Sequence, residues 1–244
     1  MTQDEIEKIA FKWTEKRSAR NVDADTFMRA CANGDTDLVR IALEYNKSLA
    51  NTKGKIGITA LTLAASQGHK DIAKLLIENG ADISVLNEGK MTPLMGAVIR
   101  NHIDVVKLLL ENNADLETRN CEGKTALTLA VTEGFYEIAK LLAARGADVN
   151  VEVQGYSLLA MACVKGLVNM AELLIKNGAD VNMVNSADYT ALMFACAIGN
   201  LETVKLLVEN GANIGMRNSD GGTAFLIASE GGFSEIATFL KSKA

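Results

Sequence analysis

The sequence predicts an all-α solenoid, in which helix–turn–helix units stack side by side and are joined by β-hairpin-like loops. Two markers lead to this prediction. A helix-start motif, in which Thr or Ser precedes a small or apolar residue, returns every 32 or 33 residues, and an ending of the Gly-Ala-Asp type keeps the same spacing. A recurring pair of leucines lies between them. Because independent markers share one period, the chain is built from repeats that bury their apolar faces by stacking on their neighbours.

The helix-start motif defines the register of the repeats. A hydroxyl at this point accepts a hydrogen bond from a free N–H of the first helical turn. Pro93 suits the first turn because its missing N–H is not needed there. Each first helix is therefore predicted to begin just after a hydroxyl residue. These residues, called the register residues below, are Thr59, Thr92, Thr125, Ser157, Thr190 and Thr223.

Glycine or asparagine marks the end of each predicted helix. In one repeat the first helix ends at Gly68 and the second at Gly80, and later repeats carry equivalents of both. Glycine favours the left-handed backbone that closes a helix. Asn101 and Asn113 replace the two glycines in another repeat, and asparagine is the residue that best tolerates this conformation after glycine. The predicted unit is thus helix, turn, helix and extended loop.

The period divides the chain into a short N-terminal helix and one repeat domain. Residues 1–20 place Ile6, Ile9 and Trp13 at helical spacing, which predicts an amphipathic helix. This helix either caps the first repeat or detaches to bind a partner or the groove of the array. Residues 21–244 form the repeat domain, with capping repeats at both ends. Its repeats, numbered 1 to 7, span 21–53, 54–86, 87–119, 120–151, 152–184, 185–217 and 218–244.

These motifs resemble the ankyrin repeat family, whose pattern combines a T-P-L-H-x-A helix start, a central glycine and a G-A-D-V-N ending. The chain reads T-P-L-M-G-A from Thr92 and G-A-D-V-N from Gly146 and Gly178, and the resemblance covers about residues 25–244. It implies an ankyrin-repeat solenoid that binds proteins through a concave surface made by hairpin tips and first helices. The family's histidine is absent from every helix start, where Thr62 and Met95 are examples of its replacements. We therefore expect apolar packing in place of its hydrogen bonds.

Composition and charge narrow the class of partner. The chain carries 30 Asp and Glu against 25 Lys and Arg, a net charge of −5. This argues against nucleic acid, because phosphate binding needs a clustered excess of basic residues. No apolar run reaches the length of about 18 residues that a membrane span needs, so no membrane segment is expected. We expect a monomer, with self-association as the alternative.

The N-terminus and the cysteines indicate the compartment. The first residues lack the pattern of a signal peptide, and the four cysteines form no CxxC pair. The sequence therefore predicts a cytoplasmic protein. Export by an apparatus that reads no signal peptide, as for an effector, is the alternative.

Residues suited to catalysis or to metal binding are sparse, and the sequence predicts no enzyme and no cofactor. His69 and His102 are the only histidines, and both lie at the start of a second helix. No catalytic triad or metal site assembles around them. Cys163 and Cys196 are expected to be buried, and Cys121 to expose its thiol at a hairpin tip. The alternative is a small-ligand-binding or enzymatic protein, which a deep closed pocket with converging polar groups would favour.

The functional signal lies at positions that the repeat leaves free, just before the register residue and seven or eight residues after it. Transferring the family's binding surface to these positions gives an apolar and aromatic strip with a charged rim. Aromatic residues, methionine and arginine are favoured at interface hot spots. Packing between repeats is the alternative for several members. The predicted residues for binding a partner protein are Ile58, Met91, Ile99, Arg100, Lys124, Glu133, Tyr156, Val164, Lys165, Tyr189 and Ile198.

Overall fold

The computed structural model of the protein describes residues 22–243. The predicted N-terminal helix, with Trp13, lies outside these residues. The chain divides into two compact units, Met1–Glu122 and Gly123–Ala244. Both units consist of stacked helix pairs.

The first unit contains the helix pairs of repeats 1 to 3. First helices α1, α3 and α5 pack on one another in order, and so do second helices α2, α4 and α6. Two short 3-10 segments, Lys47–Asn51 and Lys55–Gly57, lie between α2 and α3. The helices are α1 (Ala24–Asn33), α2 (Thr36–Tyr45), α3 (Ala60–Ser66), α4 (Lys70–Glu78), α5 (Pro93–Ile99) and α6 (Ile103–Glu111).

The second unit contains the helix pairs of repeats 4 to 7, stacked in the same way. Strands β1 (Glu152–Val153) and β2 (Tyr156–Ser157) form an antiparallel hairpin, with Glu152 opposite Ser157 and Val153 opposite Tyr156. The all-α solenoid with hairpin-like loops is confirmed. The helices are α7 (Ala126–Glu133), α8 (Tyr136–Ala144), α9 (Leu158–Val164), α10 (Val168–Lys176), α11 (Ala191–Ile198), α12 (Leu201–Glu209), α13 (Ala224–Glu230) and α14 (Ser234–Lys241).

The register residues begin the first helices as predicted. In each case the side-chain oxygen accepts a hydrogen bond from the backbone N–H three residues later, for example from Thr62 to Thr59 at 3.1 Å and from Ala160 to Ser157 at 3.1 Å. Pro93 occupies the first turn of α5. The cap satisfies an N–H that has no partner within the helix.

The residues that close the first and second helices have the predicted left-handed backbone. Gly68 has a φ of +78°, and the replacements Asn101 and Asn113 have φ angles of +58° and +60°. The glycine-to-asparagine substitutions of repeat 3 therefore preserve the backbone geometry.

The core of each unit consists of the apolar positions that recur with the repeat. The leucine two residues after the register residue is buried in repeats 2 to 6, as Leu61 and Leu192 illustrate. In repeat 7 the equivalent Phe225 is 39% exposed. The buried cysteine position represented by Cys163 and Cys196 becomes the exposed Ser229 in that repeat. The outer face of the last helix pair is thus more polar than the faces between repeats.

Asparagine side chains bridge successive repeats within each unit. Asn51 donates from Nδ2 to the carbonyl of Gly80 at 2.8 Å and accepts from the N–H of Asp82 at 2.8 Å. Asn150 and Asn182 make the equivalent pair of bonds to the following repeat. In repeat 2 the equivalent residue is Ser84, whose hydroxyl donates to Asp82 of its own repeat. That bond, together with the one from the Ser84 N–H, lowers the pKa of the Asp82 carboxyl.

Two of the six first helices that follow a register residue depart from the expectation that apolar packing replaces the missing family histidine, whereas Met95 and Met193 are buried apolar replacements. Thr62 and Thr128 instead share a hydrogen bond with the hydroxyl of their own register residues, Thr59 and Thr125. Between repeats, His102 at the start of α6 reaches the carbonyl of Ser66 at 3.1 Å from Nε2. The two histidines of the chain therefore tie neighbouring repeats together from a different position.

Candidate partner-binding surface

Three aromatic rings form a cluster on the second unit, at the side that carries the hairpin tips. The Phe194 ring centroid lies 5.2 Å from that of Tyr156 and 5.4 Å from that of Tyr189, with the ring planes tilted. Tilted rings at this spacing attract each other beyond the effect of buried area. Tyr156, Tyr189 and Phe194, called the aromatic cluster below, therefore form a pre-ordered apolar patch.

The backbone around each tyrosine fixes its position. Tyr156 lies in β2 and pairs with Val153 across the hairpin. The N–H of Tyr189 donates to the side-chain oxygen of Asn185 at 2.9 Å, and the carbonyl of Tyr189 accepts from the N–H of Asn185. Tyr156 is 38% exposed, whereas Tyr189 and Phe194 are half-buried. The cluster thus presents its rings to solvent from rigid supports.

The other predicted residues of the second unit lie at the ends of its first helices, except for Lys124, which directly precedes the register residue Thr125. Val164 and Ile198, each 43% exposed, extend the apolar surface. Lys165 and Glu133 are exposed, and Lys124 is half-buried. The hairpin tips and these helix ends together are called the hairpin-side surface below.

Carboxylates lie at the hairpin tips beside the aromatic cluster. Asp188 directly precedes Tyr189 and accepts a hydrogen bond from the Ser219 hydroxyl at 2.9 Å. The N–H of Ser219 also donates to the carbonyl of Ala187, so the two neighbouring tips are joined. Asp220 follows Ser219, and both aspartates are exposed.

Left-handed backbone recurs two residues before every register residue. Four of the six positions are glycine, whereas Lys90 and Asp188 have φ angles of +55° and +59°. A side chain in this conformation costs free energy, least for aspartate and asparagine. In the second unit, repeat 6 therefore has the carboxylate of Asp188 at this position, whereas the other repeats have glycine.

The predicted residues of the first unit divide by exposure. Ile99, which is 40% exposed, and Arg100 lie at the end of α5. Ile58 and Met91 are half-buried, and the sulfur of Met91 lies 3.6 Å from the side-chain nitrogen of Asn120. Met91 therefore contacts the next hairpin as well as solvent.

Two residues, one in each unit, were missed by the sequence prediction. Phe194 lies four residues after its register residue, at the variable x of the helix-start motif, and its aromatic character was the only signal. Ile56, at a hairpin tip of the first unit, is 57% exposed and has a φ of +54°. A β-branched residue with this φ is a true outlier, and its sequence signal was an isoleucine directly before Gly57.

Among residues 22–243, no group of three or more His, Cys, Asp or Glu side chains is able to hold a metal ion. Cys121 is exposed, whereas Cys31, Cys163 and Cys196 are buried, as predicted for the last two. Burial raises the pKa of each of these three thiols to about 12. They are therefore protonated and unreactive at neutral pH.

Two surface depressions in the described part of the chain are lined by residues other than the predicted ones. One of about 360 Å³ is lined by Phe225 and Ser229, and another of about 480 Å³ by Tyr136 and Leu167. None of the helices in the described part of the chain is long and apolar enough to cross a membrane.

Two solved structures show the similarity in fold. The ankyrin repeat domain of Bcl-3, a member of the IkappaB protein family, has a TM-score of 0.81 and 26% identity, and the match covers 88% of this chain and 97% of that one. A chain from the Bdellovibrio bacteriovorus complex of a predatory endopeptidase with an immunity protein has a TM-score of 0.68 and 31% identity, covering 79% of this chain and all of that one (100%).

Curated relatives match over shorter stretches. A Caenorhabditis elegans homolog of the transient receptor potential cation channel subfamily A member 1 is 42% identical over 79 residues, 32% of this chain and 6% of that protein. The human NAD-capped RNA hydrolase NUDT12 is 36% identical over 83 residues, 34% of this chain and 18% of that protein. The chain thus spans under a fifth of these relatives.

A family model accounts for almost the whole repeat region. The model, described as ankyrin repeats in three copies, matches residues 27–120, 84–153, 112–185 and 158–244. Ankyrin repeats form a fold that serves protein–protein interaction, and the similar structures include a complex of two proteins. From its helix starts to its Gly-Ala-Asp endings, the chain belongs to the ankyrin repeat family.

Proposed function

We propose that this chain is a non-catalytic adaptor, inhibitor or effector-like module that binds a partner protein through its hairpin-side surface. The aromatic cluster of the second unit is the observation that carries this proposal. Its rings are held by one another and by the hairpin backbone, so binding would cost little side-chain entropy.

Exposed apolar residues at the ends of two first helices support the same function. Val164 and Ile198 are each 43% exposed although they lie at the ends of helices whose other apolar residues are mostly buried. Aromatic anchors that share a surface with exposed aliphatic side chains are typical of a protein interface. We further propose that the module acts as a monomer in the cytoplasm, where its four free thiols stay reduced.

Affinity capture from a native lysate tests the proposal. The wild-type chain, the double variant Tyr156→Ala/Tyr189→Ala and the control Tyr136→Ala are used as baits, and bound proteins are identified by mass spectrometry. Tyr136 is a suitable control because it is 37% exposed in the same unit but lies on α8, outside the hairpin-side surface.

We expect a partner that the wild type and Tyr136→Ala capture and the double variant loses. Circular dichroism must show equal helix content for all three baits. The same set of captured proteins with every bait would exclude the aromatic cluster as the binding site.

A further inference from the structure

We infer that the aromatic cluster recognises an arginine side chain of the partner protein. This inference rests on the proposed function and adds the chemistry of the partner. It combines three features of the second unit: the ordered rings, the carboxylate of Asp188 beside Tyr189 and the place of two nearby basic groups.

The rings provide a surface for a planar cation. Tyr156 and Tyr189 flank Phe194 at centroid distances of 5.2 and 5.4 Å. The face of an aromatic ring attracts a cation through its quadrupole, and arginine also stacks its flat guanidinium on the ring. The exposed part of Tyr156 gives such a group access from solvent.

A carboxylate accompanies Tyr189. Asp188 precedes Tyr189, and the Ser219 hydroxyl holds its Oδ2 at 2.9 Å. A carboxylate held in this way accepts the forked hydrogen bonds of a guanidinium.

Asp188 has a left-handed backbone conformation, which is unfavourable for a residue with a side chain. Its φ is +59°, where the equivalent Gly123, Gly155 and Gly221 of the same unit have φ angles of +75°, +79° and +80°. Glycine would adopt this conformation without strain. A carboxylate at this tip is therefore maintained at some cost to stability, which suits a role in binding.

Two basic groups of the second unit leave Asp188 unpaired. The guanidinium of Arg217 donates to the carbonyl of Gly221 at 2.9 Å within its own hairpin. Lys165 lies at the far end of α9 from Tyr156, about 10 Å away along the axis of a seven-residue helix. Neither group forms an ion pair with Asp188, whose carboxylate is therefore open to a positive group of a partner.

Selection from a phage-displayed library of random short peptides tests the inference. The wild-type chain is the target, and peptides that also bind Tyr156→Ala/Tyr189→Ala are removed. Each enriched peptide is then synthesised with its basic residues changed in turn, Arg to Lys and Arg to Gln, and its affinity is measured by fluorescence anisotropy.

We expect the enriched peptides to share an arginine. Replacing it by lysine should weaken binding by about fivefold, and by glutamine still more. Asp188→Asn should weaken binding about threefold in low salt and less in high salt, whereas Glu209→Gln, an exposed carboxylate at the end of α12, should have no effect.

Two results would overturn the inference. Tyrosine-dependent peptides without a basic residue would show that the cluster binds another chemistry, and the proposed function would stand. A library without any tyrosine-dependent peptide would remove the inference, and the lysate capture would then decide the proposed function separately.

Discussion

The imidazole Nε2 of His69 lies 3.0 Å from the carbonyl oxygen of Ala32, in the last turn of α1. The same ring lies against Gly34: a Cβ at that glycine would come within 2.8 Å of the ring carbon Cε1. His102 and Gly68 repeat the arrangement in the next repeat, where the Cβ would come within 2.6 Å of Nδ1. The glycine after the first helix thus provides both a left-handed turn and room for the side chain of the following repeat.

The arrangement predicts unequal costs for two glycine substitutions in the first unit. Gly34 and Gly80 have nearly the same φ, +83° and +84°, but a Cβ at Gly80 would meet no atom within 4 Å. Gly80→Ala should lower the free energy of unfolding by about 1 kcal/mol, from backbone strain alone. Gly34→Ala should lower it by about 2–3 kcal/mol, because the His69 ring must also move.

Urea unfolding followed by circular dichroism measures both variants. The double variant Gly34→Ala/His69→Ala is the control, because it removes the clash. Once the cost of His69→Ala alone is subtracted, its loss in the free energy of unfolding should be as small as that of Gly80→Ala. Equal losses for the two single glycine variants would contradict the steric role of the histidine.

The asparagine bridges predict that one substitution lowers the free energy of unfolding and that another raises it. Asn51→Ala removes both hydrogen bonds to the backbone of repeat 2 and should lower the free energy of unfolding by about 1 kcal/mol. Ser84→Asn places the bridging side chain at the equivalent position in repeat 2 and should raise it by up to about 1 kcal/mol. Hydrogen exchange of the amide of Asp115 should slow in Ser84→Asn. Unchanged exchange there would show that the new side chain does not bridge.

The local features of the fold were predictable from the sequence because each depends on residues a few positions apart. The hydroxyl of Thr59 caps an amide three residues later, and Asn101 adopts the left-handed turn within its own loop. The ties between repeats join residues 28 to 37 positions apart, as Asn150 to Gly178 and His69 to Ala32 do. The partners in these two ties are backbone groups, which have no sequence signature. Only the recurrence of asparagine at one repeat position hinted at them.

The sequence also predicted part of the candidate surface, namely the positions of its two tyrosines. The 33-residue spacing placed Tyr156 and Tyr189 on adjacent hairpins, and the structure brings both against Phe194. Phe194 was missed because the x position of the helix start also holds buried or half-buried residues, such as Leu129. An apolar side chain at that position either packs inward or meets its neighbours at the surface. The outcome depends on how the repeats stack, which the amino-acid composition does not encode.

A buried hydroxyl without a partner predicts a stabilising substitution. Thr203 on α12 is 0% exposed, and its Oγ1 has no hydrogen-bond partner. Other repeats have an apolar residue there, Ile138 and Ile236 among them. Thr203→Val removes the buried polar atom at nearly constant volume and should raise the free energy of unfolding by about 1 kcal/mol.

Thr128→Val in the same unit is the matched control. Thr128 is equally buried, but its hydroxyl shares a hydrogen bond with Thr125 at 3.1 Å. This change should therefore lower the free energy of unfolding by about 1 kcal/mol. A loss of stability in both variants, measured by urea unfolding, would mean that the Thr203 hydroxyl has a partner in solution.

The hairpin tip at Ile56 predicts that stability and binding respond in opposite directions. Ile56 and Gly57 are both left-handed, with φ angles of +54° and +72°, as in a type I′ turn that favours Asn-Gly. Ile56→Asn should raise the free energy of unfolding by about 1 kcal/mol because it removes the strain of a β-branched residue. Gln154→Asn, in the equivalent turn of the second unit, should give a smaller gain, since Gln154 at +55° is not β-branched.

An exposed side chain in strained backbone points to a role outside folding. If Ile56 contacts the partner, Ile56→Asn should weaken capture of that partner while the protein becomes harder to unfold. Ile56→Val is the control, because it keeps both the strain and most of the apolar surface and should leave both measurements nearly unchanged. A variant Ile56→Asn that is more stable and captures the partner as well as the wild type would limit the binding surface of the first unit to residues other than Ile56.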